Sequence, residues 1–136
     1  MINQFNIVLR QYPKGIQLIT NEILNNVGYL PKSGLINIFL QHTSAGLSIN
    51  ENADPSVRDD MEAFFQRLVP ENSPYFTHIF EGSDDMPAHI KSSIFGNSIT
   101  IPIINHKLGL GTWQGIYFGE FRNHGGNRKI IITIYS

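Results

Sequence analysis

Residues 34–55 decide the fold, and their sequence is GLINIFLQHTSAGLSINENADP. Apolar residues alternate with other residues over 34–41, which is typical of a strand with one buried face. The alternation resumes after residues 43–46, so a second strand follows a short turn. Asp54-Pro55 then supplies a helix N-cap and a proline at the first helical position. The positions that share the inward face of these strands are Ile36, Ile38, Leu40, Leu47, Ile49 and Glu51.

Similar patterns run along the rest of the chain. Alternation predicts further strands over residues 3–10, 15–20, 98–104, 107–111, 115–122 and 128–135. Helical spacing and cap residues predict helices over residues 20–28, 55–69 and 86–95. Short turns between the strands favour an α+β fold, a compact antiparallel β-sandwich or jelly-roll-like barrel with two or three flanking helices.

Two local features give more specific expectations. Pro13-Lys14-Gly15 lies between the first two predicted strands, so we expect these strands to form a hairpin. The longest predicted helix, 55–69, is indicated by apolar residues at helical spacing. Those residues are Met61, Phe64, Phe65 and Leu68.

The composition fits one globular domain over residues 1–136, because 41% hydrophobic and 15% charged residues argue against disorder. A formal net charge of −1 gives no electrostatic reason to expect nucleic-acid binding. The absence of cysteine excludes disulfides and thiolate metal sites. No stretch approaches the ~18 apolar residues that span a bilayer, and the first residues lack a signal-peptide pattern. We therefore expect a cytoplasmic protein with neither a nucleic-acid nor a membrane partner.

Three histidines occupy positions where they could meet. His42 continues the apolar face of its strand, so it is either a site residue or a core histidine bonded to a backbone carbonyl. His89 lies in the first turn of its helix, where the helix dipole favours a neutral ring. His78 belongs to a long loop over residues 70–86. No local metal motif occurs, so the spacing permits a three-histidine zinc site without showing one. Magnesium would instead favour the acidic residues Glu51, Glu81, Asp84 and Asp85.

Inward-facing carboxylates form a second group of candidates. Glu120 shares a strand face with Arg122, and two interpretations stay open for this pair. The two residues could form a structural ion pair, or Glu120 could be a general acid–base group with a raised pKa. Glu51 raises the same question on its own strand. Polar groups that could hydrogen-bond a ligand are Asn50, Asn52 and Gln114. Trp113 could stack on a flat heterocycle or pack in the core.

Three motifs occur in order along the chain: residues 42–55, residues 81–91 (EGSDDMPAHIK) and residues 111–116 (GTWQGI). Together they closely resemble the YjbQ-type family, which is labelled secondary thiamine-phosphate synthase. The resemblance implies a β-rich α+β fold that assembles as a homotrimer, with its pocket near the subunit contacts. It also implies a reaction that joins a hydroxymethylpyrimidine diphosphate to a thiazole phosphate and releases pyrophosphate.

The resemblance assigns roles to particular residues. His42, His78 and His89 match the histidines expected around a bound divalent metal, zinc or magnesium, or around an anion. Residues that match the polar lining are Glu120, Trp113 and Gln114. The family usually has a glycine where this chain has Asn105-His106-Lys107. Asparagine tolerates the left-handed conformation, so we expect the turn to survive and His106 to be a turn residue rather than a ligand.

These observations lead to three functional hypotheses. The first is a transferase of the thiamine-phosphate synthase type, with His42, His89 and Glu120 as catalytic residues. Its substrate-binding residues would be Asn50, Glu51, Asn52, Trp113, Gln114 and Arg122. Because lysines and arginines are few, we expect this activity to be weak or secondary. The second hypothesis is a metal-dependent hydrolase or lyase that acts on a small phosphorylated metabolite. The third is a ligand-binding trimer without catalysis.

Overall fold

Eight strands and three helices make up the fold. The computed structural model describes residues 1–136. The strands are β1 (Ile2–Val8), β2 (Gly15–Leu18), β3 (Ser33–Leu40), β4 (Ala45–Glu51), β5 (Ser98–Ile104), β6 (Lys107–Leu108), β7 (Gln114–Glu120) and β8 (Lys129–Tyr135). The helices are α1 (Thr20–Val27), α2 (Pro55–Leu68) and α3 (Asp85–Phe95). No helix combines the length and the hydrophobicity needed to span a bilayer.

The strands form two sheets. One has five strands in the order β1-β8-β3-β5-β6, and the other has three in the order β2-β7-β4. Every pair of neighbouring strands is antiparallel. The predicted α+β class, with antiparallel strands and flanking helices, is therefore confirmed.

The hydrophobic core contains residues from both sheets. It is one cluster of 19 buried residues. Ile36, Ile38 and Leu40 of β3 are at most 1% exposed, and Leu47 of β4 is equally buried. The alternation in residues 34–55 therefore identified the inward face correctly, because successive side chains of a strand point to opposite faces of the sheet.

The expected hairpin between the first two strands is wrong. β1 pairs with β8, whereas β2 pairs with β7 in the other sheet. Between them, Leu9 and Tyr12 are 0% and 5% exposed. Because these two side chains enter the core, the connecting segment crosses from one sheet to the other instead of turning back.

The predicted second helix is confirmed, since α2 begins at Pro55 with Asp54 as its N-cap. The cap was predicted correctly, since the Asp54 side chain accepts a hydrogen bond from the Ser56 N–H at 2.9 Å. No residue of the helix is buried, however, and Phe64 and Leu68 are 61% and 52% exposed. Phe65 contacts the rings of Phe95 and Phe121 from a half-buried position. The helix therefore lies at the rim of the fold, and its apolar side is only partly covered.

Helix α3 packs directly on β4, and this contact positions the candidate site. The Ser92 hydroxyl donates a hydrogen bond to the Ala45 carbonyl at 2.7 Å. A Cβ atom at Gly46 would lie 2.8 Å from the Phe95 ring. Glycine at this position therefore allows the helix to approach the strand closely. The approach brings the His89 side of α3 beside the turn between β3 and β4.

Candidate metal centre

Two histidines and one aspartate meet near the start of α3. His78 Nε2 lies 2.7 Å and His89 Nε2 lies 3.1 Å from the same oxygen, Oδ2 of Asp85. The potential ligand atoms of the three residues all lie within 4.8 Å of one another. Two imidazole nitrogens with one carboxylate oxygen form a donor set that suits zinc and similar ions. We call these three residues the histidine–aspartate cluster.

Local structure explains why the cluster forms. Asp85 and His89 are four residues apart on α3, so they share one face of the helix. The carbonyl of Thr43 can only accept, and His89 Nδ1 lies 2.8 Å from it, so this nitrogen carries the proton. A neutral ring then has an unprotonated Nε2, which is the form that binds a metal. His78 comes from the loop before α3, and about half of its side chain is exposed.

Arg122 holds the aspartate of the cluster in place. Its Nη1 donates to Asp85 Oδ1 at 2.5 Å, and its Nε donates to Asp84 Oδ2 at 3.0 Å. Burial raises the pKa of Asp85, but the hydrogen bond from His78 and the charge of Arg122 outweigh it, so the net pKa is lowered. Asp85 is therefore ionised at neutral pH. The prediction that Arg122 binds substrate is not supported, because its guanidinium group is already engaged.

His42 lies outside the histidine–aspartate cluster. Its Nε2 accepts a hydrogen bond from the backbone N–H of Lys129 at 2.8 Å. Arg128 Nη1 lies 3.4 Å from its other ring nitrogen, Nδ1. Burial, followed by the Arg128 charge, lowers the pKa of His42. The structure does not support His42 as a metal ligand or a proton carrier, because Nε2 is occupied and the ring is held neutral. It borders a cavity that it shares with His89.

Glu120 is sealed inside the protein. Its exposed fraction is 0%, and Arg128 donates to both of its oxygens, at 2.8 Å from Nε and 2.6 Å from Nη2. A Cβ atom at Gly125 would lie 2.0 Å from Oε1, so the backbone of this glycine covers the carboxylate. The predicted catalytic role is therefore not supported. Glu120 forms a structural ion pair, and its partner is Arg128 rather than Arg122.

Most of the predicted substrate-binding residues lie at the other end of β4 and β7. Asn52 Nδ2 donates to the carbonyls of Thr112 and Gln114, and Gln114 Oε1 accepts from the Gly111 N–H. Trp113 is 64% exposed rather than packed in the core. Asn50 and Glu51 lie at the same end, where Glu51 accepts from the Ala53 N–H.

Six residue steps along β4 correspond to about 20 Å. Because the histidine–aspartate cluster lies beside the first residues of β4, the group at the far end does not line it within one chain. That group is Asn50, Glu51, Asn52, Trp113 and Gln114. The hydrogen bonds of its amides hold the loop before β7 in place.

Two cavities adjoin the cluster. One has a volume of about 340 Å³ and borders His78, with Phe76, Ile79 and Met86 among its lining residues. The other has a volume of about 420 Å³ and borders His89. None of the seven residues that line it is hydrophobic. We call this second cavity the polar recess. A ligand held at the cluster therefore has two different surroundings available to it.

The position of Asp85 between two histidines was not predicted from the sequence, in which this residue was only one of four acidic candidates for magnesium. The signal that could have found it is the spacing of Asp85 and His89, which places both on one face of the predicted helix 86–95 when that helix begins one residue earlier. The sequence could not indicate which arginine pairs with Glu120, because Arg122 and Arg128 are both close to it along the chain.

Comparison with known proteins matches this architecture to one family. A family model described as UPF0047 protein YjbQ-like matches residues 5–136. The YjbQ protein of Escherichia coli O157:H7 is 50% identical over 133 residues, which is 96% of each chain. The YjbQ protein of Salmonella typhimurium is 52% identical over the same length and share. Among solved structures, a YjbQ/UPF0047 protein of Clostridium acetobutylicum has a TM-score of 0.79 at 36% identity, over 98% of this chain and 99% of that chain.

Proposed function

This chain belongs to the YjbQ-like UPF0047 family, and we propose that it is a divalent-metal-dependent hydrolase or lyase acting on a small phosphorylated metabolite. The observation that carries the proposal is the convergence of His78, Asp85 and His89 between two cavities. Two of the three ligands are held by bonds from their other atoms, His89 through Thr43 and Asp85 through Arg122. Such outer contacts are usual for residues that bind metal.

The donor set favours zinc over magnesium, since magnesium prefers oxygen ligands. A bound divalent ion would supply Lewis-acid charge that polarises a phosphoryl or carbonyl oxygen. The protein's own residues would prepare the site. Asp85 brings the negative charge, since its lowered pKa keeps it ionised. Arg122 takes one oxygen of this carboxylate and leaves the other, Oδ2, beside the two histidines.

A transferase of the thiamine-phosphate synthase type is the second candidate. Resemblance to the labelled family supports it, and a cluster that binds a divalent ion could also hold a departing diphosphate. The charges around the cluster make us rank it second. Arg122 is engaged by Asp84 and Asp85, and Arg128 is engaged by Glu120, so neither is free for a diphosphate. We therefore propose that any synthase activity is weak or secondary.

Metal content and turnover test the proposal together. Zinc in the purified protein would be measured by mass spectrometry, and phosphate and pyrophosphate release would be followed with candidate substrates. We expect bound zinc, and we expect His89→Ala to lose both the zinc and the turnover. The exposed His124 offers a matched control, because His124→Ala removes a histidine outside the cluster. Full metal-dependent turnover in His89→Ala would reject the site. Zinc binding without any turnover would instead favour the ligand-binding trimer.

We also propose a homotrimer in the cytoplasm. In one chain the polar residues at the two ends of β4 lie about 20 Å apart, too far to line one site, and a trimer would bring the two ends of different subunits together. One subunit could then present its Trp113 end to the histidine–aspartate cluster of the next. Light scattering coupled to size-exclusion chromatography measures the assembly directly. A mass near three times 15.4 kDa supports the trimer, and a monomer mass at all concentrations contradicts it.

A further inference from the structure

The two cavities beside the histidine–aspartate cluster differ in chemistry. The one next to His78 contains apolar side chains such as Phe76 and Ile79, whereas the polar recess next to His89 contains none. A phosphate ester has a charged end and an organic end. If the phosphate lies at the cluster, the organic end can reach either of these cavities, and the chemistry of the cavity that it enters selects the class of substrate.

The polar recess presents three side chains that are free to bind a ligand. Thr43, Ser93 and Asn97 are exposed, and their side-chain hydroxyl and amide groups make no hydrogen bond within the chain. Their positions are nevertheless fixed by the backbone. The Thr43 carbonyl accepts from His89, and the Asn97 carbonyl accepts from the Leu40 N–H at 2.8 Å. Free polar groups on a fixed backbone are well suited to directional hydrogen bonding.

Charges around the polar recess argue against an anion inside it. Helix α3 ends at Phe95, and the carbonyls at the end of a helix carry partial negative charge. Two cations act on His42: Arg128 is paired with Glu120 and its side chain is only 7% exposed, whereas Lys129 is exposed and does not line the recess. With Nε2 of His42 accepting from Lys129, the neutral ring carries its proton on Nδ1 and can only donate there. Hydroxyl groups suit this set because each one both donates and accepts.

We propose that the polar recess binds the uncharged, hydroxyl-bearing part of the substrate, so that the substrate is a phosphorylated polyol or sugar. This inference rests on the proposed function, which places the phosphate at the histidine–aspartate cluster. His89 borders both places, so one small molecule can reach from one to the other. Thr43, Ser93 and Asn97 are then specificity residues that contact the hydroxyl groups.

Calorimetry with the zinc-loaded protein tests the inference. The probes are ribose 5-phosphate, glycerol 3-phosphate, propyl phosphate and inorganic phosphate. We expect the two hydroxylated esters to bind at least about 10-fold more tightly than propyl phosphate, which is the effect of one or two hydrogen bonds. Ser93→Ala and Asn97→Ala should each remove about 5-fold or more of that advantage and leave the affinity for inorganic phosphate unchanged. Ser73 lines the other cavity, so Ser73→Ala is the matched control.

The outcomes separate the two proposals. Equal affinity for propyl phosphate and the hydroxylated esters overturns the inference while the proposed function stands. The same holds if Ser73→Ala weakens the hydroxylated esters and Ser93→Ala does not. Absence of zinc binding overturns the proposed function. In that case, ribose is titrated into the labelled metal-free protein, and amide NMR shifts centred on Thr43, Ser93 and Asn97 support the polar recess. Shifts centred on Ser73, or no shifts at all, reject it.

Discussion

Two carboxylate–arginine pairs lie at the same end of the molecule, and they serve different purposes. Glu120 is bonded through both oxygens to Arg128 and is closed off from solvent. Asp85 is bonded through one oxygen to Arg122 and turns the other toward two histidines. The number of carboxylate oxygens that the arginine binds therefore separates the structural ion pair from the candidate metal ligand. Both pairs have the same residue chemistry, so only the three-dimensional contacts distinguish them.

The largest expected effect is the loss of stability when the buried Glu120–Arg128 pair is broken. Arg128→Ala leaves the buried Glu120 with the Arg122 N–H as a donor but without a cation, and loss of the cation typically destabilises a protein by about 3–5 kcal/mol. Urea denaturation followed by circular dichroism measures the free energy of unfolding. Arg67→Ala is the control, because Arg67 is exposed on α2 and should change stability little. If Arg128→Ala and Arg67→Ala have the same free energy of unfolding, the Glu120–Arg128 pair is not the stabilising contact that we infer.

Breaking the other pair should mainly affect metal binding. Arg122→Gln removes the contact that orients Asp85, and loss of such an outer contact typically lowers metal affinity by about 10–100-fold. Competition with a zinc chelator measures the affinity of the folded protein. Arg10→Gln is the control because Arg10 lies outside the histidine–aspartate cluster. Unchanged zinc affinity in Arg122→Gln would contradict the role that we give to this arginine.

A third variant tests how closely the backbone of Gly125 packs on the Glu120 carboxylate. Gly125→Ala places a Cβ atom against the carboxylate, and such overpacking typically costs about 1–3 kcal/mol. The free energy of unfolding is again the measurement. In Gly111→Ala the nearest atom to the new Cβ would be 3.4 Å away, so it should cost less. Equal stability of these two variants would show that the cover over Glu120 adapts easily.

The smallest effect concerns pH. Because the pKa of His42 is lowered in the folded protein, its neutral form contributes stability above the ordinary value of 6.5, and this stability is lost as pH falls. His42→Gln should therefore reduce the dependence of stability on pH between pH 7 and pH 5, by at most about 1.4 kcal/mol per pH unit. Urea denaturation at several pH values measures this slope. His124→Gln, at an exposed histidine, is the control. A slope in His42→Gln identical to that of the parent protein would contradict the role that we give to His42.

Much of the fold could be predicted because it depends on local patterns. The alternation at Ile36, Ile38 and Leu40 fixes which face of β3 enters the core, and Asp54-Pro55 marks the start of α2. The pairing of the strands could not be predicted from the sequence. The partner of β1 is β8, at the other end of the chain, and no local signal carries that information.

The candidate site could be predicted only in part. The structure brings His78 and His89 together, as the resemblance implied, and their role as metal ligands stays a prediction. His42 and Glu120 were expected there because they face inward on their strands. An inward orientation does not determine the hydrogen-bond partner, however. Glu120 is bonded to Arg128, and His42 accepts from the backbone N–H of Lys129. Asp85 was not predicted to lie with the histidines, because His78 and His89 meet it only in the folded chain.

The most direct test of the central claim is a crystal soaked with zinc and measured at the zinc absorption edge. We expect one anomalous peak per chain, bonded to His78 Nε2, His89 Nε2 and an oxygen of Asp85. The peak should disappear in Asp85→Asn and persist in Asp59→Asn, which changes an exposed aspartate on α2. A peak at another place, or a peak at the cluster that persists in Asp85→Asn, would contradict the account.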